Sequence, residues 1–117
     1  MDYELIFLKS LFLTISIETV VLCLFFRLVV KIENTSLHRL VITGIIASMT
    51  TLPYLWFILP NYIDQRIWYV IIGESFAVLI EMIIIGIILR VNLLKSFLSS
   101  LTFNMISFLT GLIINWP

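Results

Sequence analysis

Long apolar runs separated by short polar clusters organise this chain of 117 residues. Four runs are long enough to cross about 30 Å of hydrocarbon as helices of roughly 20 residues. They fall at approximately residues 5–26, 40–59, 67–89 and 97–114, and make a single transmembrane domain over residues 1–117. The runs are continuous rather than alternating, which disfavours a β-barrel. Glu33-Asn34-Thr35-Ser36 reads as a polar turn in which Ser36 or Thr35 can cap the second helix. Pro60-Asn61 ends the second run, Asp64 can cap the third, and Arg90-Val91-Asn92-Leu93-Leu94-Lys95 is a tight link to the fourth. Trp116-Pro117 is expected at the membrane surface. The predicted fold class is all-α, a polytopic membrane protein with four transmembrane helices in an up-down bundle.

Composition identifies the solvent. The apolar fraction is 62% and the mean hydropathy is +1.18, well above the roughly half-apolar mix of soluble domains. A small soluble domain leaves too much surface in water to hide this much Leu, Ile, Val and Phe. Lys and Arg together number seven, as do Asp and Glu, so nothing points to nucleic acid or a polybasic surface anchor. The lone Cys23 excludes an internal disulfide and any Cys-rich metal motif. The leading segment Met1-Asp2-Tyr3-Glu4 is acidic and no small-x-small site follows before Arg27, so the first run is expected to be retained rather than cleaved as a signal peptide.

Charge then sets an orientation. Arg27, Lys31, Arg39, Arg90 and Lys95 flank the first and third loops, whereas only Lys9 and Arg66 lie at the other side. That bias predicts a prokaryotic inner (cell) membrane protein with both termini outside the cytoplasm. Tyr3, Tyr54, Trp56, Tyr62, Trp68, Tyr69 and Trp116 all fall at or near the opposite end of their helices, as residues that favour the headgroup region would.

Against this background three carboxyls stand out. Glu18, Glu74 and Glu81 lie inside apolar runs, and an ionised carboxylate at the bilayer centre costs on the order of 3 kcal/mol on insertion scales. Glu18 precedes Arg27 by nine residues and Glu81 precedes Arg90 by nine; Ser48 follows Arg39 by nine and Asn104 follows Lys95 by nine. Each is therefore about 13 Å in from one boundary, which predicts a polar layer near the midplane with one group per helix. Glu74, seven residues before Glu81, shares its face and lies nearer the outer rim. Pro53 should break the second helix at that level, with Ser48, Thr50 and Thr51 near the freed carbonyl. The stripe Ser96, Ser100, Asn104, Ser107 and Gly111, with Gly73, Ala77 and Thr14, is expected to turn inward and let the helices approach.

Two chemistries suit such a layer. Loss of water favours the protonated form of a carboxyl, and a second carboxyl nearby favours it further, giving a proton carrier or a ligand for a cation. Alternatively, Glu18 and Glu81 are hydrogen-bonded glue between helices. Asn104 would orient a glutamate. The single His38, read as a solvated residue at a helix end, and the single cysteine disfavour a zinc site, whereas an oxygen-only site for a hard cation stays open. No Ser-His or Cys-His pair lies in the runs, so an enzyme is not expected and no cofactor is called for.

The glutamate in the first of four helices is similar to that of the small multidrug resistance transporters, where such a carboxyl exchanges protons for a cationic drug in an antiparallel dimer. That likeness stops at Glu18, because the third helix here carries a glutamate pair in place of a glycine-rich segment. Ile17-Glu18-Thr19, Thr51-Leu52-Pro53-Tyr54-Leu55-Trp56, Gly73-Glu74 with Glu81, and Asn104-Met105-Ile106-Ser107-Phe108 with Gly111 give a resemblance over nearly the whole chain. It is to an uncharacterised family of small prokaryotic four-helix integral membrane proteins. The resemblance implies a fold and intramembrane polar positions, not an activity. Where that pattern would have an asparagine and a histidine before the proline, this chain has Ser48 and Thr51 or Leu52, which disfavours a metal site. The sequence thus leads to ion or proton binding by Glu18, Glu81 and Glu74. Asn104, Ser48, Thr51, Pro53, Thr14 and Ser107 would support them, in a homo-oligomer or beside a membrane partner protein. The alternative is an assembly or scaffold subunit.

Overall fold

A computed structural model describes residues 2–29 and 36–115. Most of the turn expected at Glu33-Asn34-Thr35, as well as Lys31 and Trp116-Pro117, therefore lies outside the described residues. Every regular element described is helical: α1 (Tyr3–Leu24), α2 (Leu37–Pro53), α3 (Arg66–Leu89) and α4 (Leu93–Asn115). A wide π turn, Phe25–Val29, follows α1, while α2 passes into a second, Tyr54–Ile58, and then a 3₁₀ turn, Leu59–Asn61. All four are long and apolar enough to cross a membrane. The bundle measures 42 × 24 × 21 Å, and its long axis matches a bilayer of about 40–45 Å with headgroups. Its outer surface is apolar, with Phe12 and Ile113 each 76% exposed.

Two of the helices, α2 and α4, begin where backbone donors find side-chain caps, ahead of where the sequence turns apolar. Ser36 accepts from the Arg39 N–H at 3.1 Å and starts α2 at Leu37. Asn92 does the same for the Lys95 N–H at 2.9 Å, so α4 starts four residues before the apolar run does. Asp64 does not cap α3. The Tyr69 N–H bonds the Gln65 carbonyl at 2.9 Å, which makes Gln65 the N-cap, without a side-chain bond, and leaves Asp64 one residue too early. At the other end of α3, Arg90 adopts a left-handed conformation (φ 56°), the usual helix-terminating geometry.

Helix α1 packs on α2 and α4, and α3 packs on the same two, closing a ring. Side chains link α1 to the second helical segment near both Tyr3, which bonds the Trp56 carbonyl, and Glu18, which bonds Ser48. Small residues set the spacing. A Cβ on Gly44 would run into Thr19, one on Gly86 would lie 3.1 Å from Ser96 Oγ, and Gly73 faces the Leu55 and Leu59 side chains. Leu22, Phe26, Leu40, Ala47, Ile85, Leu89 and Phe103 form one apolar core at the end of the bundle where α1 finishes and α2 starts.

Regular α-helix ends at Pro53, as expected, and side chains close the irregular segment that follows. The π turn after it would leave carbonyls without partners. Tyr69 Oη donates to the Leu55 carbonyl at 2.5 Å, Tyr3 Oη to the Trp56 carbonyl at 2.5 Å, and Asn61 Nδ2 to the Phe57 carbonyl at 3.0 Å. Two tyrosines placed by the sequence at a headgroup rim thus hold the irregular segment. Thr50 and Thr51 bond the Ile46 and Ala47 carbonyls, one turn below the break. Tyr69→Phe should lower stability by about 1 kcal/mol in a detergent micelle. Tyr62→Phe, at a site 80% exposed, should leave it unchanged. Thermal unfolding of both variants checks this.

Candidate functional site

Each helix brings one or two polar side chains to a common layer. Ser48 Oγ on α2 donates to Glu18 Oε1 on α1 at 2.7 Å. On α3, Glu81 Oε1 accepts from Thr51 Oγ1 of α2 at 2.8 Å, and Glu81 Oε2 accepts from Asn104 Nδ2 of α4 at 2.8 Å. Asn104 Nδ2 also donates to the Ser100 carbonyl at 2.9 Å, which uses both amide protons. Glu18, Ser48, Thr51, Glu81 and Asn104 are all buried. The four groups expected at one depth are therefore joined as two pairs, Glu18 with Ser48 and Glu81 with Asn104. Thr51 is the added member, a direct partner of a glutamate and more than a packing hydroxyl.

The position of Thr51 decides what the site can do. Its Oγ1 lies 2.8 Å from Glu81 Oε1 and 3.0 Å from the Ala47 carbonyl, and a hydroxyl has a single proton to give. When Glu81 is ionised, that proton points to the carboxylate. When Glu81 is protonated, the carboxyl donates to Thr51 and the threonine proton turns to Ala47. Both protonation states are satisfied without moving a heavy atom. A buried carboxyl with a fixed donor at each oxygen would lack this freedom.

Glu18, Thr51, Glu81 and Asn104 line one end of a cavity of about 860 Å³ to which all four helices contribute, within the size range of small-molecule sites, about 300–1,000 Å³. Glu74, half-buried, and Ala77 line the α3 wall, with Thr14 on α1 and Ser107 and Gly111 on α4. Glu74 is thus not apart from the other two carboxyls: all three open onto one space. Pro53 is not among the cavity-lining residues; it shapes the wall through Leu52, Leu55 and Trp56 on either side of it. Among the described residues, no group of three His, Cys, Asp or Glu side chains stands close enough to hold a metal ion. His38 is exposed, away from the cavity.

No protein-family model, curated protein or solved structure matches the chain. The site stands on its geometry.

Sequence reasoning left out the other end of the cavity, where Lys9 and Arg66 line it with Ser10 and Trp56. Lys9 lies nine residues before Glu18, two and a half turns of an ideal helix, so spacing alone turns it away from the glutamate. Both nonetheless line the cavity, which more than one face of α1 therefore meets. The hydroxyl and amide stripe of α4 divides. Ser96 and Ser100 pack against α3, while Asn104, Ser107 and Gly111 face the cavity.

Proposed function

We propose that the chain is an integral protein of a prokaryotic cell membrane. Its helices run up and down across the bilayer with both termini outside the cytoplasm. The Glu18–Glu81 layer binds and relays a proton or another small cation as part of transport. The apolar outer surface, the 42 Å length and the distribution of basic residues support the membrane placement. One observation carries the relay: Glu81 meets a hydroxyl that serves either protonation state, at the end of a cavity shared with Glu18 and Glu74. Four helices enclose too little volume for a large substrate path, so a second copy or another membrane protein completes it.

The test is proton or cation flux into vesicles reconstituted with the purified protein, comparing the parent with Glu18→Gln and Glu81→Gln. Flux that is lost or sharply reduced supports the relay; unchanged flux in both variants removes it.

A second reading has its own support. The bonds from Ser48, Thr51 and Asn104 to the glutamates, together with Ser100 Oγ to the Val78 carbonyl at 2.8 Å, each join two different helices. A belt of this kind suits a scaffold subunit whose carboxyls only hold the bundle in register. That reading predicts full function in the glutamine variants.

A further inference from the structure

We infer that the carboxyl layer is loaded from one end of the bundle only, by protons arriving through water along the cavity, with Glu74 as the first carboxyl they meet. This deepens the relay reading by naming its ligand and its open side, while the access geometry stands independently of flux. The first support is the direction of the cavity. On α1 it is lined from Ile6 to Glu18, on α3 from Arg66 to Glu81, and on α4 from Asn104 to Leu112. It therefore runs from the end where α1 and α3 begin and stops at the carboxyl layer.

The second support is what lies beyond. One and two turns past Glu18 come Leu22 and Phe26, and past Glu81 come Ile85 and Leu89, all in the apolar core and at most 5% exposed. Among the described residues, nearly all hydroxyls in that half are already engaged. Thr43 bonds the Arg39 carbonyl, Ser96 the Asn92 carbonyl, Ser99 the Ser96 carbonyl and Ser100 the Val78 carbonyl. The exception is Thr19 Oγ1, which has no partner and packs against Gly44. A water molecule needs two to four polar partners to be held in a protein interior, so one hydroxyl cannot carry a chain of them.

The third support concerns the ligand. Glu74 and Glu81 are separated by two helical turns, about 10 Å along the axis, too far for a direct hydrogen bond. Water in the cavity must bridge them. A proton can pass along hydrogen-bonded water of this kind. Glu74, with no hydrogen-bond partner of its own among the described residues, is free to exchange with that water.

Cysteine accessibility tests the inference. In a Cys23→Ser background, Ala77→Cys and Ser107→Cys report the cavity, and Ala47→Cys reports the apolar half. Asp2→Cys and His38→Cys, both exposed, mark the two ends. A membrane-impermeant methanethiosulfonate is applied separately to each face of the membrane. Ala77→Cys and Ser107→Cys should react from the face that labels Asp2→Cys, at least about tenfold faster than Ala47→Cys from either face, because only a hydrated thiolate is nucleophilic. Reaction from the His38 face, or none from either face, overturns one-ended loading. Should Ala77→Cys not fold, Ser107→Cys decides the matter alone.

Adding Glu74→Gln should lower the ratio of cationic to anionic reagent rates at the cavity cysteine by about twentyfold, because one charge a few ångströms away changes each rate about fivefold in opposite directions. An unchanged ratio removes Glu74 from the path. Lost flux in the glutamine variants with two-sided labelling would keep the relay and discard this inference. One-sided labelling with unchanged flux would do the reverse.

Discussion

Glu81→Gln is expected to fold like the parent and to lose about a hundredfold in proton flux, the usual scale for removing a group that transfers protons. The fold survives because the amide fits. Its oxygen can accept from Asn104 Nδ2, as Glu81 Oε2 now does at 2.8 Å, while its nitrogen donates to Thr51 Oγ1, whose own proton turns to the Ala47 carbonyl. What the amide cannot do is take up and release a proton. Glu81→Leu differs, since it strands an N–H of Asn104 in a buried site. We expect a loss of about 1–2 kcal/mol for it, within the range for an interhelical bond in membranes. Thermal unfolding in micelles and flux in vesicles, measured on the same preparations, separate the two effects. If Glu81→Gln keeps full flux and only Glu81→Leu fails, the carboxyls are glue and the scaffold reading stands.

The helices and the carboxyl layer were legible in the sequence for simple reasons. Apolar runs of membrane-spanning length leave little room for another fold, and a fixed rise per residue converts the distance from a basic flank into a depth. That arithmetic brought Glu18 to Ser48 and Glu81 to Asn104. It did not single out Thr51 as a partner of Glu81, because a helix hydroxyl already has a use on the carbonyl one turn back, here that of Ala47. Nor could it show Tyr3 and Tyr69 closing the carbonyls of the π turn after Pro53. Their placement near the ends of helices already had a sufficient explanation in the headgroup region. The starts of α2 and α4 fall earlier than the apolar runs for a related reason: hydropathy marks where a chain becomes apolar, whereas a helix begins at the first residue whose carbonyl accepts a helical bond. The cavity was the least legible feature. A space is made by what four helices leave empty, and a periodic pattern along one helix does not record it.

Position in the bundle also explains why a proton site and a scaffold can share residues. Glu18 and Glu81 sit where the cavity ends and the apolar core begins. A carboxyl at such a boundary can be held by hydroxyls on one side while its other face meets water. Holding and exchanging protons are then separable by substitution, and the amide variants remove the second while retaining the first.

Gly44→Val should be the most damaging single change to the packing of α1 on α2. A Cβ at Gly44 would sit 3.0 Å from both Cα and Cβ of Thr19, and closer still to its hydroxyl, so backbone and not a flexible side-chain tip blocks it. Overpacking of this kind costs about 1–3 kcal/mol. The gain in helix propensity on replacing glycine by alanine, about 1 kcal/mol, offsets it only in part for Gly44→Ala, and valine adds two more methyl groups to the clash. The consequence reaches the site, because Thr19 follows Glu18 directly. Separating the helices there draws Glu18 Oε1 away from Ser48 Oγ, now 2.7 Å apart. Thr19→Ala should partly rescue Gly44→Ala. It clears the nearest obstacle and removes Thr19 Oγ1, a buried hydroxyl oxygen without a hydrogen-bond partner. Gly111→Ala is the control, with nothing within 4 Å of the added carbon. Thermal unfolding should rank the variants Gly111→Ala, then Gly44→Ala, then Gly44→Val in falling stability. A Gly44→Val protein as stable as the parent would mean that α1 and α2 do not meet at Thr19.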